Sequence, residues 1–396
     1  METLLRQSRE LLKYVTTDHV RNIYDEISWN VRLIGIKGAR GVGKTTLLLQ
    51  RMKLAFPEAD KALYVSLDDL WFASHTLPEL ALLAEQKGVT HLFIDEVHRL
   101  PGWERQIKNV YDLHPGISVV FTGSSLLEID HSIADLSRRC LMYTLHGLSF
   151  REYLEFEGHS FTKLSLQEII YDHSKLTSSI LSEVDVMKAF PKYLKHGFYP
   201  FYTSDSEADY LVRVNNMIAS VIDYDIPAVE NIEYSTLLKA KQLINVIASQ
   251  SPSPLNAKLT AELMGVTKNQ LVKIFSLLEK AQLLRLLYFK SERNPKSMIK
   301  PQKVLFDNPS IIYACGQPDK GKVRESFFAS MLSVGHELSY PKDGDLLVDG
   351  RYLFEVGGAR KGFTQIKDLP DSFVAADGIE SGFGNKIPLW LFGFIY

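Results

Sequence analysis

Gly38-Ala39-Arg40-Gly41-Val42-Gly43-Lys44-Thr45, followed by Thr46, is the stretch that decides how this chain is read. It fits the phosphate-loop pattern G-x-x-x-x-G-K-[ST] and lies between an apolar run at 31–36 and an apolar helix start at 46–52. Its glycines let successive backbone N–H groups turn inward around a triphosphate. On that reading Gly38, Arg40, Gly41, Val42, Gly43, Lys44, Thr45 and Thr46 bind ATP. Lys44 reaches the β- and γ-phosphates, Thr45 holds Mg²⁺, and the following helix offers its positive end to the anion.

Outward from the loop, short apolar runs at 31–36, 62–67, 91–94 and 117–121 alternate with helical patterns. That alternation predicts a parallel sheet with helices on both faces. The run His91-Leu92-Phe93-Ile94 ends in Asp95-Glu96. The first acid suits Mg²⁺ and the second suits a general base that polarises the attacking water. A buried strand ending at two surface acids is the bland reading, but after a phosphate loop the pair points to ATP hydrolysis. The run at 119–121 ends in Thr122-Gly123-Ser124-Ser125, beside the expected nucleotide crevice. Thr122 and Ser124 are candidates to sense the γ-phosphate or orient water, and a serine-rich turn explains them equally well. Arg138-Arg139 precedes the apolar run at 141–145. It reads as an arginine finger, acting from a neighbouring subunit or after domain closure, or as an ordinary solvated pair.

The bulk properties bound the rest. A chain of 396 residues exceeds one ordinary core, so two to four domains are expected. A net charge of −2 gives no whole-chain attraction to nucleic acid or membrane, so any such surface is local. Cys140 and Cys315 stand far apart without a His or Cys cluster, which argues against a disulfide framework or zinc and suits a reducing compartment. The first twenty positions alternate charge with leucine, unlike a leader peptide, and no apolar run approaches spanning length. The expectation is a soluble cytoplasmic protein without a membrane partner.

Beyond residue 150 the pattern is mainly helical as far as 249, where Ser249-Gln250-Ser251-Pro252-Ser253-Pro254 breaks it. Residues 259–280 then read as helix, glycine turn and helix, with Thr267 as N-cap and Leu271, Ile274, Leu277 and Leu278 on one face. Runs at 283–289 and 303–306 read as a hairpin wing, with five Lys/Arg between 290 and 303 against Glu292. A recognition helix with a basic wing is a DNA-binding layout, and Lys268, Asn269, Gln270, Lys273, Arg293 and Lys296 are its candidate contacts. Protein contact or interdomain packing is the competing use. From 323 onward the expected order is a helix carrying Glu325, three short strands, a helix and two more strands. Asp345 and Glu355 on neighbouring strand ends form a second candidate metal site.

Several of these stretches together resemble the prokaryotic AAA+-type ATPases that carry a C-terminal domain of unknown function. The resemblance rests on 38–45, 91–100, 121–125, Gly147-Leu148-Ser149-Phe150-Arg151-Glu152-Tyr153, 193–200 and Glu355-Val356-Gly357-Gly358. It implies the phosphate lysine at Lys44, the magnesium hydroxyl at Thr45, and the acid and base at Asp95 and Glu96. The family's arginine falls best on Arg139, although Arg138-Arg139 replaces the usual Gly-Arg pair. The tail resembles the PD-(D/E)XK nuclease fold, with Asp345 and Glu355 at the metal-binding positions. Gly357 stands where that pattern has a lysine, and the nearest lysine is Lys361, so a degenerate fold is preferred to a cutting one.

The expected fold is therefore α/β: a P-loop NTPase (AAA+-like) parallel sheet with a helical lid, a winged-helix domain and a C-terminal α/β restriction-endonuclease-like domain. The expected divisions are an ATPase core with N-terminal helix at 1–155, the lid at 156–248, the winged helix at 249–315 and the nuclease-like domain at 316–396. The expected activity is Mg-ATP hydrolysis coupled to the later modules. A slow nucleotide-gated switch binding a protein partner and an ATP-dependent DNA nuclease are the alternatives, and a finger in trans would require an oligomer.

Overall fold

Four apolar runs after residue 31 all become strands, and a fifth follows. In the computed structural model these are β1 (Leu33–Gly38), β2 (Ala62–Ser66), β3 (His91–Asp95), β4 (Ser118–Ser124) and β5 (Leu141–Thr144). The structure describes residues 1–58, 60–124, 136, 138–249, 256–289, 301–316 and 318–396. The strands form one parallel sheet in the order β2-β3-β4-β1-β5. Their side chains are apolar on both faces because helices cover both, the usual condition of a parallel sheet. Gly38 pairs with Ser124, and Ile94 of β3 pairs with Phe121 of β4. This register places the ends of β1, β3 and β4 at one edge.

The helices of this unit are α1 (Glu2–Tyr14), α2 (Ile23–Glu26), α3 (Lys44–Ala55), α4 (Leu77–Gln86) and α5 (Trp103–Leu113). Thr76 and Glu79 close a reciprocal capping box at the start of α4. Trp103, Ile107 and Val110 recur at helical spacing, so α5 buries one face in the core with Leu33, Leu63, Leu92, Ile94 and Phe121. Each such side chain contributes roughly 1.5–3 kcal/mol by burial, enough to make the sheet a rigid base for its loops.

The chain divides into two compact units, 1–147 with 224–231 and 148–223 with 232–396. The second unit thus takes in the segments read as winged helix and tail, and the segment read as lid except 224–231. Its first helix, Phe150–Phe156, is capped by Ser149 with Glu152. Phe150 lies 5.2 Å from Phe190 and 6.0 Å from Phe394, and Phe190 lies 4.9 Å from Phe327. These rings join the helical segment and the tail in one core.

Helices Ala257–Met264 and Lys268–Lys280 follow as the sequence leads one to expect, with Gly265 left-handed between them. Thr267 and Gln270 form a capping box, and Leu271, Ile274, Leu277 and Leu278 are buried. An antiparallel pair, β6 (Leu284–Leu287) and β7 (Lys303–Phe306), comes next. Arg293 and Lys296 lie outside the described residues.

The last sheet runs β12-β11-β10-β9-β8, from β8 (Leu338–Ser339), β9 (Leu346–Val348), β10 (Tyr352–Gly358), β11 (Ser372–Asp377) and β12 (Lys386–Pro388). β8, β9 and β10 are antiparallel neighbours, whereas β10, β11 and β12 are parallel. One expectation is overturned. The helix expected between β10 and β11 is a series of turns, where Gly362 and Pro370 interrupt helical backbone. β11 and β12 are the two further strands expected, and the final apolar run after them is a 3₁₀ helix, Leu389–Phe394. It is buried on every side, so it carries no periodicity that separates helix from strand.

Candidate active site

The phosphate loop links β1 to α3. Gly41 and Gly43 have φ of 84° and 97°, left-handed values that a side chain would strain, and Gly43 is the N-cap of α3. Lys44 is buried, and its Nζ donates to the carbonyls of Gly38 and Ala39 at 2.9 Å each. Burial pulls its pKa down, opposed by Glu96, Asp95 and Asp225. Thr45 and Thr46 open α3 with their residues exposed. The Val42 carbonyl accepts from Arg21 Nη1 at 3.0 Å, and Arg21 Nη2 donates to His146 and Gly147 carbonyls at 2.9 and 3.0 Å. This arginine, which sequence reading passes over, staples the loop to the chain after β5.

Asp95 gathers hydroxyls. Thr45 Oγ1 donates to its Oδ2 at 2.6 Å, Tyr64 Oη donates to the same oxygen at 2.9 Å, and Thr122 Oγ1 donates to Oδ1. A threonine hydroxyl beside a carboxylate, facing a buried lysine, is the hard-oxygen donor set that Mg²⁺ with phosphate requires, so the residues present fit that ion. Glu96 follows in the left-handed region at φ 55°, its N–H donating to Asp95 Oδ1 and Thr122 Oγ1 at 3.2 Å each. Burial raises the pKa of the Glu96 carboxyl, with Lys44 acting against the rise. Ser124 is buried at the end of β4, and its N–H donates to His98 Nδ1 at 3.3 Å.

Arg40 does not stand free in the loop. Its Nη1 donates to both oxygens of the buried Asp225, at 2.8 and 3.1 Å, and Arg99 Nη2 donates to Asp225 Oδ1 at 3.1 Å. Asp225 thereby joins the phosphate loop to the turn after β3. Tyr64, His98, Arg99 and Asp225 were all missed as site residues. His98 and Arg99 follow the acid pair directly and could have been found there, whereas Asp225 carries no local signal.

Arg139 stands apart. It pairs with Asp112 at 3.0 and 3.2 Å just before β5, whose Leu141 pairs with Ile34 near the start of β1. That is the end of the sheet opposite the phosphate loop, so the fold does not bring Arg139 to its own chain's loop. Arg138 is exposed beside it.

In the second unit the tail's carboxylates already face lysines. Lys303 of β7 lies 3.0 Å from Glu325 Oε1 and 3.3 Å from Asp345 Oδ1, while Lys361 pairs with Glu355. Burial opposes the charge of Lys303, but the two acids outweigh it and raise its pKa. A Cβ at Gly357 would meet Lys361 carbons at 2.7 Å, so glycine there makes room for the Lys361 stem. Among the described residues, no group of three or more His, Cys, Asp or Glu is arranged to hold a metal ion. Lys268, Asn269, Gln270 and Lys273 are exposed on their helix.

No helix among the described residues is long and apolar enough to cross a membrane. Residues 30–154 match the family described as AAA domain, and residues 187–320 match a Domain of unknown function (DUF8612). Uncharacterized protein MJ1637 of Methanocaldococcus jannaschii is 28% identical over 401 residues, spanning 90% of this chain and 81% of its own. Uncharacterized protein MJ1544 of the same organism is 24% identical over 234 residues, spanning 58% and 49%. The structure of AMPPCP-bound DnaA from Aquifex aeolicus aligns with 70% of this chain and 88% of its own, at 15% identity and a TM-score of 0.25. Over residues 30–154 the chain is thus similar to AAA domains, which together with its five-stranded parallel sheet supports an AAA-type P-loop ATPase fold there.

Proposed function

We propose that the first unit is an AAA+-like ATPase that binds Mg-ATP and hydrolyses its γ-phosphate. The observation that carries this is the Thr45–Asp95–Thr122 chain, with Glu96 next to it and Lys44 buried alongside. The backbone N–H groups of the loop cradle the phosphates, and Lys44 exchanges its two carbonyl partners for phosphate oxygens. Mg²⁺, held by Thr45 and Asp95, neutralises phosphate charge when bound. Glu96 accepts the proton of a water whose oxygen bonds to the γ-phosphorus as the bridging oxygen leaves with ADP. Glu96→Gln is expected to lower steady-state phosphate release by about 100-fold or more while ATP still binds. Unchanged turnover would refute the base assignment, and tight ATP binding without turnover in the unaltered protein would favour the nucleotide-gated switch.

The exposed face bearing Lys268, Asn269, Gln270 and Lys273 supports a second element of the proposal, DNA contact by a winged helix in the other unit. Anisotropy titrations with duplex DNA at several salt concentrations test it. A binding constant that falls with salt is expected, and a flat response or no binding removes DNA as the partner. For the tail we propose a degenerate nuclease-like fold, because Lys303 and Lys361 already neutralise the carboxylates a metal would need.

A further inference from the structure

Between Ser124 and Glu96 lies a buried imidazole that takes no part in the hydrolysis steps. The His98 side chain is only 1% exposed. Its Nδ1 accepts the Ser124 N–H at 3.3 Å, and a ring nitrogen that accepts carries no proton, so the neutral ring keeps its proton on Nε2. Nε2 lies 3.2 Å from Glu96 Oε2 without forming a hydrogen bond to it, and no acceptor among the described residues takes its proton. Glu96 has use for such a neighbour. Its backbone sits in a left-handed conformation pinned by Asp95 and Thr122, but neither of those contacts orients its carboxylate.

We infer that His98 is a positioning residue that ties the orientation of the Glu96 carboxylate to the end of β4 at Ser124. The inference rests on the ATPase reading above. A flat, rigid ring spans the two groups, so a displacement of the Ser124 backbone is passed to the carboxylate and not absorbed by a flexible side chain. The contact to Glu96 is the kind that tightens when substrate closes the site.

Two substitutions separate the ring's two sides. His98→Asn keeps an acceptor near the Nδ1 position for Ser124 but ends short of Glu96. His98→Gln carries an amide N–H out to the Nε2 position but loses the acceptor. The expected result is a kcat lower by about tenfold or more in His98→Asn, with KM and the affinity for a fluorescent ATP analogue unchanged. His98→Gln is expected to keep kcat within about threefold of the unaltered protein. In a Glu96→Gln background, His98→Asn should lower the residual rate no further. A merely structural histidine gives the reverse order, with the Gln variant worse in both thermal unfolding and kcat.

Full turnover in His98→Asn overturns the inference, and so does loss of kcat in His98→Gln, whether or not the Asn variant folds. A parallel loss of ATP affinity and kcat in both variants overturns it too. If the unaltered protein releases no phosphate, the ATPase reading falls and takes this one with it. If Glu96→Gln is inactive while His98→Asn is fully active, only the role of His98 falls.

Discussion

At the scale of single residues, the first unit keeps an uncharged histidine among charged neighbours. Burial pushes His98 down to about 3 from its ordinary 6.5, helped by Arg99, Lys44 and Arg40. Between those two values the unfolded chain binds a proton that the folded chain refuses. The His98 contribution to stability is therefore complete above 6.5 and is lost progressively as pH falls toward about 3. Urea unfolding of the first unit above and inside that window should show the loss. His98→Gln, which cannot titrate, should show a smaller pH dependence, and an equal dependence would assign the acid sensitivity to other groups. The residue scale is also where the sequence was most readable. Lys44, Thr45, Asp95 and Glu96 sit in two short continuous stretches, and the register of β1, β3 and β4 brings those stretches together.

Among elements, the segment 224–231 is the instructive one. Its neighbours in the chain, up to residue 223 and from 232 onward, belong to the second unit, yet the segment folds with the first. Asp225 holds it there by binding Arg40 of the phosphate loop and Arg99 of the turn after β3. Asp225→Asn should destabilise the first unit by about 2 kcal/mol, since a buried charge-assisted bond is lost while Arg40 can still turn to water. Denaturant midpoints at constant m-value measure this, and an unchanged midpoint would show that the pair contributes little. Elsewhere the apolar periodicity located strands and helices well, because each buries one face or both in a way that repeats along the chain. It failed at 361–370, where turn residues interrupt the chain.

For the whole molecule, two compact units predict two separable unfolding transitions. A non-hydrolysable ATP analogue with Mg²⁺ at about 100 times its Kd should stabilise the first unit by about 2.7 kcal/mol and leave the second transition where it was. Differential scanning calorimetry with and without the analogue checks this. A single transition shifting as one would show that the two units unfold cooperatively. The second unit also joins segments that the sequence reading divided more finely: Lys303 of β7 sits between Glu325 and Asp345, and Phe190 packs on Phe327.

The sequence by itself determined what depends on consecutive residues. The glycine spacing of the phosphate loop, the acid pair closing a buried strand and the alternation of strands with helices are set by local backbone freedom and burial. Tertiary structure alone decided the partners that come from afar. It brought Asp225 to Arg40 and Arg99, Tyr64 to Asp95, and Lys303 to the tail's carboxylates, and it set Arg139 at the opposite end of the sheet from the loop. Such meetings are fixed by strand order, register and packing across long separations, and none of these leaves a periodic or spaced signature along the chain.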